Sequence, residues 1–282
     1  VRALLRADGP VRSKVHRRDR HQYACTRHCA GYLQGDGRLA SRAARSAGAH
    51  SVGKTGGITI LYESLHIQRG VTAIIGGGGK STLLHALADE LSKHARVIVA
   101  TSTKMYVPDW CPVLLSAELG DVESALATSP LVCVGSIHEP TGKLDAPRVA
   151  FSDLTGIADY LLVEADGAKR LPLKAHAEHE PVIPACTNRV VYVVGIDGVG
   201  VPISQTCHRP ELYAQLASVS VDERVTPEMV ATVLEAESLH DVVLINKVET
   251  ESGWQKAESI AALVKTPVIA GSLWRNEFRC LH

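Results

Sequence analysis

The run Ile75-Gly76-Gly77-Gly78-Gly79-Lys80-Ser81-Thr82 places side chains suited to phosphate chemistry at close spacing. Four consecutive glycines let the backbone turn with its N–H groups facing inward, and Lys80 carries a cation toward β and γ phosphates. Ser81 offers a hydroxyl to magnesium, with Thr82 beside it. A β-branched run at 71–75 precedes the glycines and a helical pattern follows them, so the helix adds its positive N-terminal end to the same anion site. The G-x-x-x-x-G-K-[ST] spacing asks for Gly at position 74, where this chain has Ile; the loop therefore starts late and is shorter than usual. A turn that merely joins strand to helix needs neither the lysine nor the hydroxyls. Residues 76–82 thus predict a site for ATP or GTP with magnesium.

A second polar group closes the apolar run 160–163, where Glu164 and Asp166 follow as paired carboxylates. Read by strand alternation, both face one side and serve as magnesium ligands, directly or through water, and as catalytic groups beside Lys80. The alternative is an N-cap or a solvent-facing pair. Thr103 and Lys104 end another apolar run and become phosphate or magnesium candidates if that strand neighbours the loop strand. Asn246-Lys247-Val248-Glu249 resembles the N-K-x-D guanine motif with Glu in place of Asp, and one additional methylene moves the carboxylate by more than ~1 Å. The choice between ATP and GTP stays open. The segment from Lys169 to Glu180 mixes cations, imidazoles and carboxylates without helical regularity and reads as a functional loop. His-x-x-His at 176 and 179 is weak as a metal motif. Arg209, just before a helix that Pro210 can start, could reach a phosphate or simply lie exposed.

These groups need a scaffold that brings strand ends to one edge. From about residue 58, short β-branched runs alternate with helical stretches, which predicts an α/β domain of the P-loop NTPase-like class, a mostly parallel sheet with helices on both faces. Strands are expected at 71–75, 97–101, 131–135, 160–164, 189–195, 242–246 and 268–271. Helices are expected at 81–94, 121–128, 210–217, 227–236 and 254–263. Net charge is zero over 282 residues, yet residues 1–55 hold 12 Lys or Arg against 3 Asp or Glu. That leaves 18 against 27 for 56–282, so a basic extension precedes an acidic domain. The extension has few large aliphatics and no sustained period, and is expected to be disordered. No aromatic interleaving accompanies its charge, which argues for a solvated tail over a nucleic-acid partner.

Apolar runs such as 161–163 and 190–194 fall far short of the ~20 residues of a membrane span. The first residues lack a secretory apolar core, so a cytoplasmic address is expected. The first residue is Val, which leaves a non-standard start codon, a fragment or an upstream extension open. Seven cysteines are scattered without framework spacing, and reduced thiols are expected; Cys25 and Cys29 alone lack the second ligand pair of a structural zinc site.

Taken in order, the G-G-G-K-[ST] loop, T-S-T-K-M at 101–105, V-E-A-D-G-A-K at 163–169, P-L-K-A at 172–175, E-H-E-P-V-I-P at 178–184, H-R-P-E at 208–211 and N-K-V at 246–248 resemble the YqeC family. That family is described as accessory proteins for selenium-dependent molybdenum hydroxylases, or as selenium cofactor biosynthesis proteins. His176 stands where the family pattern has Pro, and Glu249 where it has Asp. The resemblance implies a P-loop nucleotide-binding protein whose partners are a molybdenum hydroxylase or its maturation proteins. A nucleotide hydrolase, a small-molecule kinase that binds its acceptor near 169–180, and a non-hydrolytic cofactor carrier are the competing activities.

Overall fold

The computed structural model describes residues 60–281; the basic segment 1–55, with Cys25 and Cys29, lies outside them. Among the described residues there are twelve strands and eight α-helices. The first half contains α1 (Leu61–Ser64), β1 (Gly70–Gly76), α2 (Lys80–Ser92), β2 (Val97–Thr101), β3 (Val113–Leu115), α3 (Leu119–Leu126), β4 (Leu131–His138), β5 (Lys143–Asp145), α4 (Phe151–Leu154) and β6 (Tyr160–Glu164). The second contains β7 (Leu173–Lys174), β8 (Thr187–Gly195), α5 (Ile203–Thr206), β9 (Cys207–His208), α6 (Pro210–Ala217), α7 (Pro227–Glu237), β10 (Val242–Asn246), α8 (Glu251–Ala261), β11 (Val268–Ser272) and β12 (Glu277–Cys280).

The main sheet runs β12-β11-β10-β8-β1-β6-β2-β4-β3, with β5 paired to β4. Every pairing in it is parallel except β11 with β12 and β4 with β5. Its central strands are buried on both faces, which is why they read as nearly continuous apolar runs. Alternation sends Ile74, Val99, Leu162 and Val193 to one face, where they pack with Leu83, Leu87 and Leu91 of α2. Ala73, Ile75, Tyr192 and Val243 face the other way, against α6, α7 and α8, and Ala100, Val132 and Val163 on that side meet α3 and α4. The sheet is thus covered on both faces, as the alternating pattern predicts.

Strands β2, β6 and β10 match their expected bounds, whereas two helices begin earlier than periodicity suggests. α3 starts at Leu119 because the Glu118 N–H donates to Asp121 Oδ2 (3.0 Å), and α8 starts at Glu251 because Thr250 Oγ1 accepts from the Gly253 N–H (3.1 Å). Edge strands β3, β5 and β12 carry too little apolar periodicity to be seen in sequence. No helix among the described residues is long and apolar enough to cross a membrane. Leu87 is fully buried between α2 and the sheet. Leu87→Ala should cost about 2–5 kcal/mol. Its melting temperature should fall by on the order of 5–15 °C, and a fall below about 2 °C would show that α2 is not the helix that closes this face.

Candidate functional site

β1 delivers the chain to Gly76, and α2 begins at Lys80, so the glycine loop lies at the carboxyl edge of the sheet. Gly76, Gly78 and Gly79 have φ of 92°, 74° and 135°. A Cβ at Gly78 would sit 2.3 Å from Gly195 N, and one at Gly79 2.4 Å from Asn246 Nδ2, so both conformation and space demand glycine. The N–H groups of the first three glycines are taken by protein acceptors. Gly76 N donates to Asp166 Oδ2 (2.9 Å), Gly77 N to Val193 O (2.9 Å) and Gly78 N to Leu171 O (3.0 Å). Phosphate-directed donors therefore begin at Gly79, where the first turn of α2 leaves N–H groups without intrahelical acceptors. Gly76 and Gly77 form the hinge of the loop and do not border the cleft.

That cleft encloses about 690 Å³ and is bordered by Gly78, Gly79, Lys80, Ser81 and Thr82. Lys104, Lys143, Lys169, Arg170 and Lys247 complete a cationic lining in which Glu164 is the single carboxylate. Such a surface suits a polyanion. Tyr106 stands at its edge between two cations, with Lys143 Nζ 4.6 Å and the Arg170 guanidinium 5.0 Å from its ring centroid. Lys169 and Arg170 both adopt positive φ, 49° and 64°, in the turn that brings them to the cleft.

The two carboxylates after β6 have separate surroundings. Glu164 Oε2 accepts from Ser81 Oγ at 2.9 Å on the cleft wall. Burial raises the Glu164 pKa, the Asp166 charge adds to this, and Lys80 and Ser81 only partly oppose it. An incoming cation would relieve that penalty. Asp166, by contrast, has no exposure and lies beneath the loop. Lys80 Nζ approaches its Oδ1 at 3.0 Å, while Lys174 Nζ (3.3 Å) and His176 Nε2 (2.6 Å) meet Oδ2. Burial alone would raise the Asp166 pKa, but Lys80, His176 and Lys174 outweigh it and hold the group well below the usual carboxylate range. Strand parity, which placed both side chains on one face, stops applying once β6 ends at Glu164.

β6 also separates β2 from β1, so the condition under which Thr103 and Lys104 would flank the loop strand is not met. Lys104 still borders the cleft, whereas Thr103 does not. Asn246 Nδ2 donates to Gly78 O (2.9 Å) and its Oδ1 accepts from Leu273 N (3.0 Å), so this side chain braces the loop. Lys247 borders the cleft and pairs with Asp197 at 2.7 Å. Glu249 Oε1 accepts from Ser272 Oγ at 2.7 Å.

Lys174 and His176 lie in the segment read from sequence as a functional loop, but their contacts with Asp166, and the part played by Glu237, were not assigned there. β7 and β9 pair in a small separate sheet, which sets Lys174 opposite His208 and carries the segment under the loop. Glu237, at the end of α7, accepts from the His176 N–H (2.6 Å) and faces His176 Nδ1 (2.8 Å). Its partner is 61 positions away, so no local signal marks it. Burial disfavours charge on His176, but its bonds to Asp166 and Glu237 prevail and raise its pKa.

The family model for the YqeC protein matches residues 72–211, which span β1, the loop, both carboxylates and the start of α6. Over these residues, just under half of the chain, the sequence is similar to the YqeC family. Its sequence is 33% identical over 160 residues to the uncharacterized protein YqeC of Escherichia coli (strain K12), an alignment covering 54% of this chain and 62% of the relative. The hydrogenase maturation factor HypB from Archaeoglobus fulgidus aligns structurally over 77% of this chain and 86% of its own, with 13% identity and a TM-score of 0.33. The P-loop α/β fold of this chain rests on its own strand order and loop. Among the described residues no group of three or more His, Cys, Asp or Glu side chains could hold a metal.

The His176 bridge has a pH signature. Its folded pKa lies above the ordinary 6.5, so its stabilisation is complete below that value and is lost as pH rises through the folded pKa. His176→Gln keeps a hydrogen-bond donor without the titration. Chemical denaturation between pH 6 and pH 9, a window of about three units set by the ordinary histidine value, should show stability falling more steeply with pH in the parent than in the variant. Parallel profiles would show that His176 is neutral in the folded protein.

Proposed function

We propose that this chain is a magnesium-dependent nucleoside triphosphatase, taking ATP or GTP, that assists maturation of a selenium-dependent molybdenum hydroxylase. The observation that carries the nucleotide reading is the Ser81–Glu164 hydrogen bond on the wall of a cationic cleft at the start of α2. A hydroxyl and a carboxylate form an oxygen donor set suited to magnesium, which binds through one or two protein oxygens, water and phosphate. Ser81 and Glu164 would hold it, and it would neutralise charge developing on the β and γ phosphate oxygens. Lys80, the first-turn N–H groups of α2 and the lysines around the cleft bind and orient the triphosphate. Asp166 acts from beneath by fixing Lys80 and Gly76.

The maturation role is what the resemblance to the YqeC family implies, and the match spans 62% of the relative's length. Glu249, held by Ser272, stands in sequence where the N-K-x-D motif has Asp, so ATP and GTP are both substrates to compare.

Lys80→Ala should lower affinity for both triphosphates by about 10- to 100-fold in calorimetric titration, the equivalent of one charge-assisted contact. Lys80 also neutralises Asp166, so the melting curve of the variant must confirm that it is folded. Unchanged affinity in folded protein would overturn the phosphate-loop reading.

A further inference from the structure

Beside the cationic cleft lies a second chamber of about 490 Å³, a size typical of small-molecule pockets. Lys104, Lys143, Gly167 and Lys169 border both spaces, so the chamber shares a wall with the first. The rest of its border brings together Thr103, Asp145, Glu180, His208 and Arg209 from four separate segments of the chain. Two of these bordering residues carry a buried polar atom without a hydrogen-bond partner, Thr103 Oγ1 and His208 Nδ1. Buried polar atoms in folded proteins are nearly always paired, so two orphans on residues that border one chamber are groups that a side-chain rotation would offer to a ligand.

Charge narrows the class of ligand. Lys104, Lys143, Lys169 and Arg209 face two carboxylates, and one of these, Glu180, is already held by Lys174 (3.0 Å) and Arg209 (3.1 Å). The remaining balance favours an anion. Burial and the nearby Lys174 charge lower the His208 pKa, which leaves its ring neutral and able to share a hydroxyl proton. Arg209 is kept at φ 63°, a left-handed conformation uncommon for a residue with a Cβ, at the junction of β9 and α6. Its guanidinium is only partly buried, which leaves donors beyond those facing Glu180 and His179. A single oxyanion would leave most of the chamber unfilled.

We propose that this chamber binds a small organic phosphate ester alongside the triphosphate, with Arg209 and the shared lysines on the phosphate and with Thr103, His208 and Asp145 on its hydroxyls. Simultaneous occupancy rests on the reading of the first cleft as a triphosphate site. The ester's phosphate would then lie on the far side of the shared lysines from the glycine loop.

The test is calorimetric titration of ribose 5-phosphate, as a probe, into protein saturated with a non-hydrolysable triphosphate analogue and magnesium. Saturation is measured first, so a failure of the first site is recognised on its own; the probe is then titrated into free protein, where the second chamber is still assayed. One equivalent should bind, more tightly than inorganic phosphate does, because only the ester reaches the hydroxyl-binding groups. Arg209→Ala should weaken it about tenfold or more, and Arg209→Lys should recover part of the loss. Thr103→Val, which removes an unpartnered hydroxyl without opening a void, should weaken it with no fall in melting temperature. The proposal is overturned if the ester does not bind, if it binds no tighter than inorganic phosphate, or if binding is unchanged in both Arg209→Ala and Thr103→Val.

Discussion

An ionised carboxylate without contact to water must be neutralised where it stands, and Asp166 imposes that demand directly beneath the phosphate loop. Lys80, Lys174, His176 and the Gly76 N–H all converge on it. Each brings a different part of the chain: the start of α2, the β7 strand, the segment after it and the end of β1. Glu180 and Glu237 then answer the additional positive charge of Lys174 and His176, and Arg209 extends the series to the surface of the second chamber. The loop geometry is therefore fixed by electrostatics under it as much as by its glycines.

This arrangement divides labour between two neighbouring carboxylates. Asp166 is fully occupied by protein partners, while Glu164, two residues earlier, faces the cleft with Ser81 as its partner. The same hub keeps the Lys80 side chain turned back, with Nζ also donating to Gly76 O at 2.7 Å. A triphosphate would compete for a lysine that already has partners, which lowers the affinity the loop could otherwise reach and lets changes in the buried network alter it. That is a physical route by which a docked partner could adjust nucleotide binding.

The parts visible in sequence were those with local causes. Continuous, largely apolar runs gave β2, β6 and β10 to the residue because strands buried on both faces show no polar alternation. The placement of Lys80 and Ser81 at the cleft was legible because it depends on neighbours within a few positions. The fates of Asp166 and Asn246 were not, since one is decided by Lys174 and His176 on a separate two-stranded sheet and the other by a carbonyl 168 positions away. Thr103 was assigned on an adjacency that β6 interrupts. Residues 1–55 carry a compositional expectation that the described part of the molecule does not address.

The central claim is that magnesium belongs to Glu164 and loop integrity to Asp166. It is tested most directly by measuring triphosphate affinity across a magnesium titration in Glu164→Gln and Asp166→Asn, with denaturant stability measured on the same samples. Glu164→Gln should remain as stable as the parent and lose most of the magnesium dependence. Asp166→Asn should lose about 3–5 kcal/mol of stability, because it leaves buried cations unpaired, while its folded fraction keeps the magnesium response. The reverse pattern, with magnesium dependence lost in Asp166→Asn and kept in Glu164→Gln, would contradict the account.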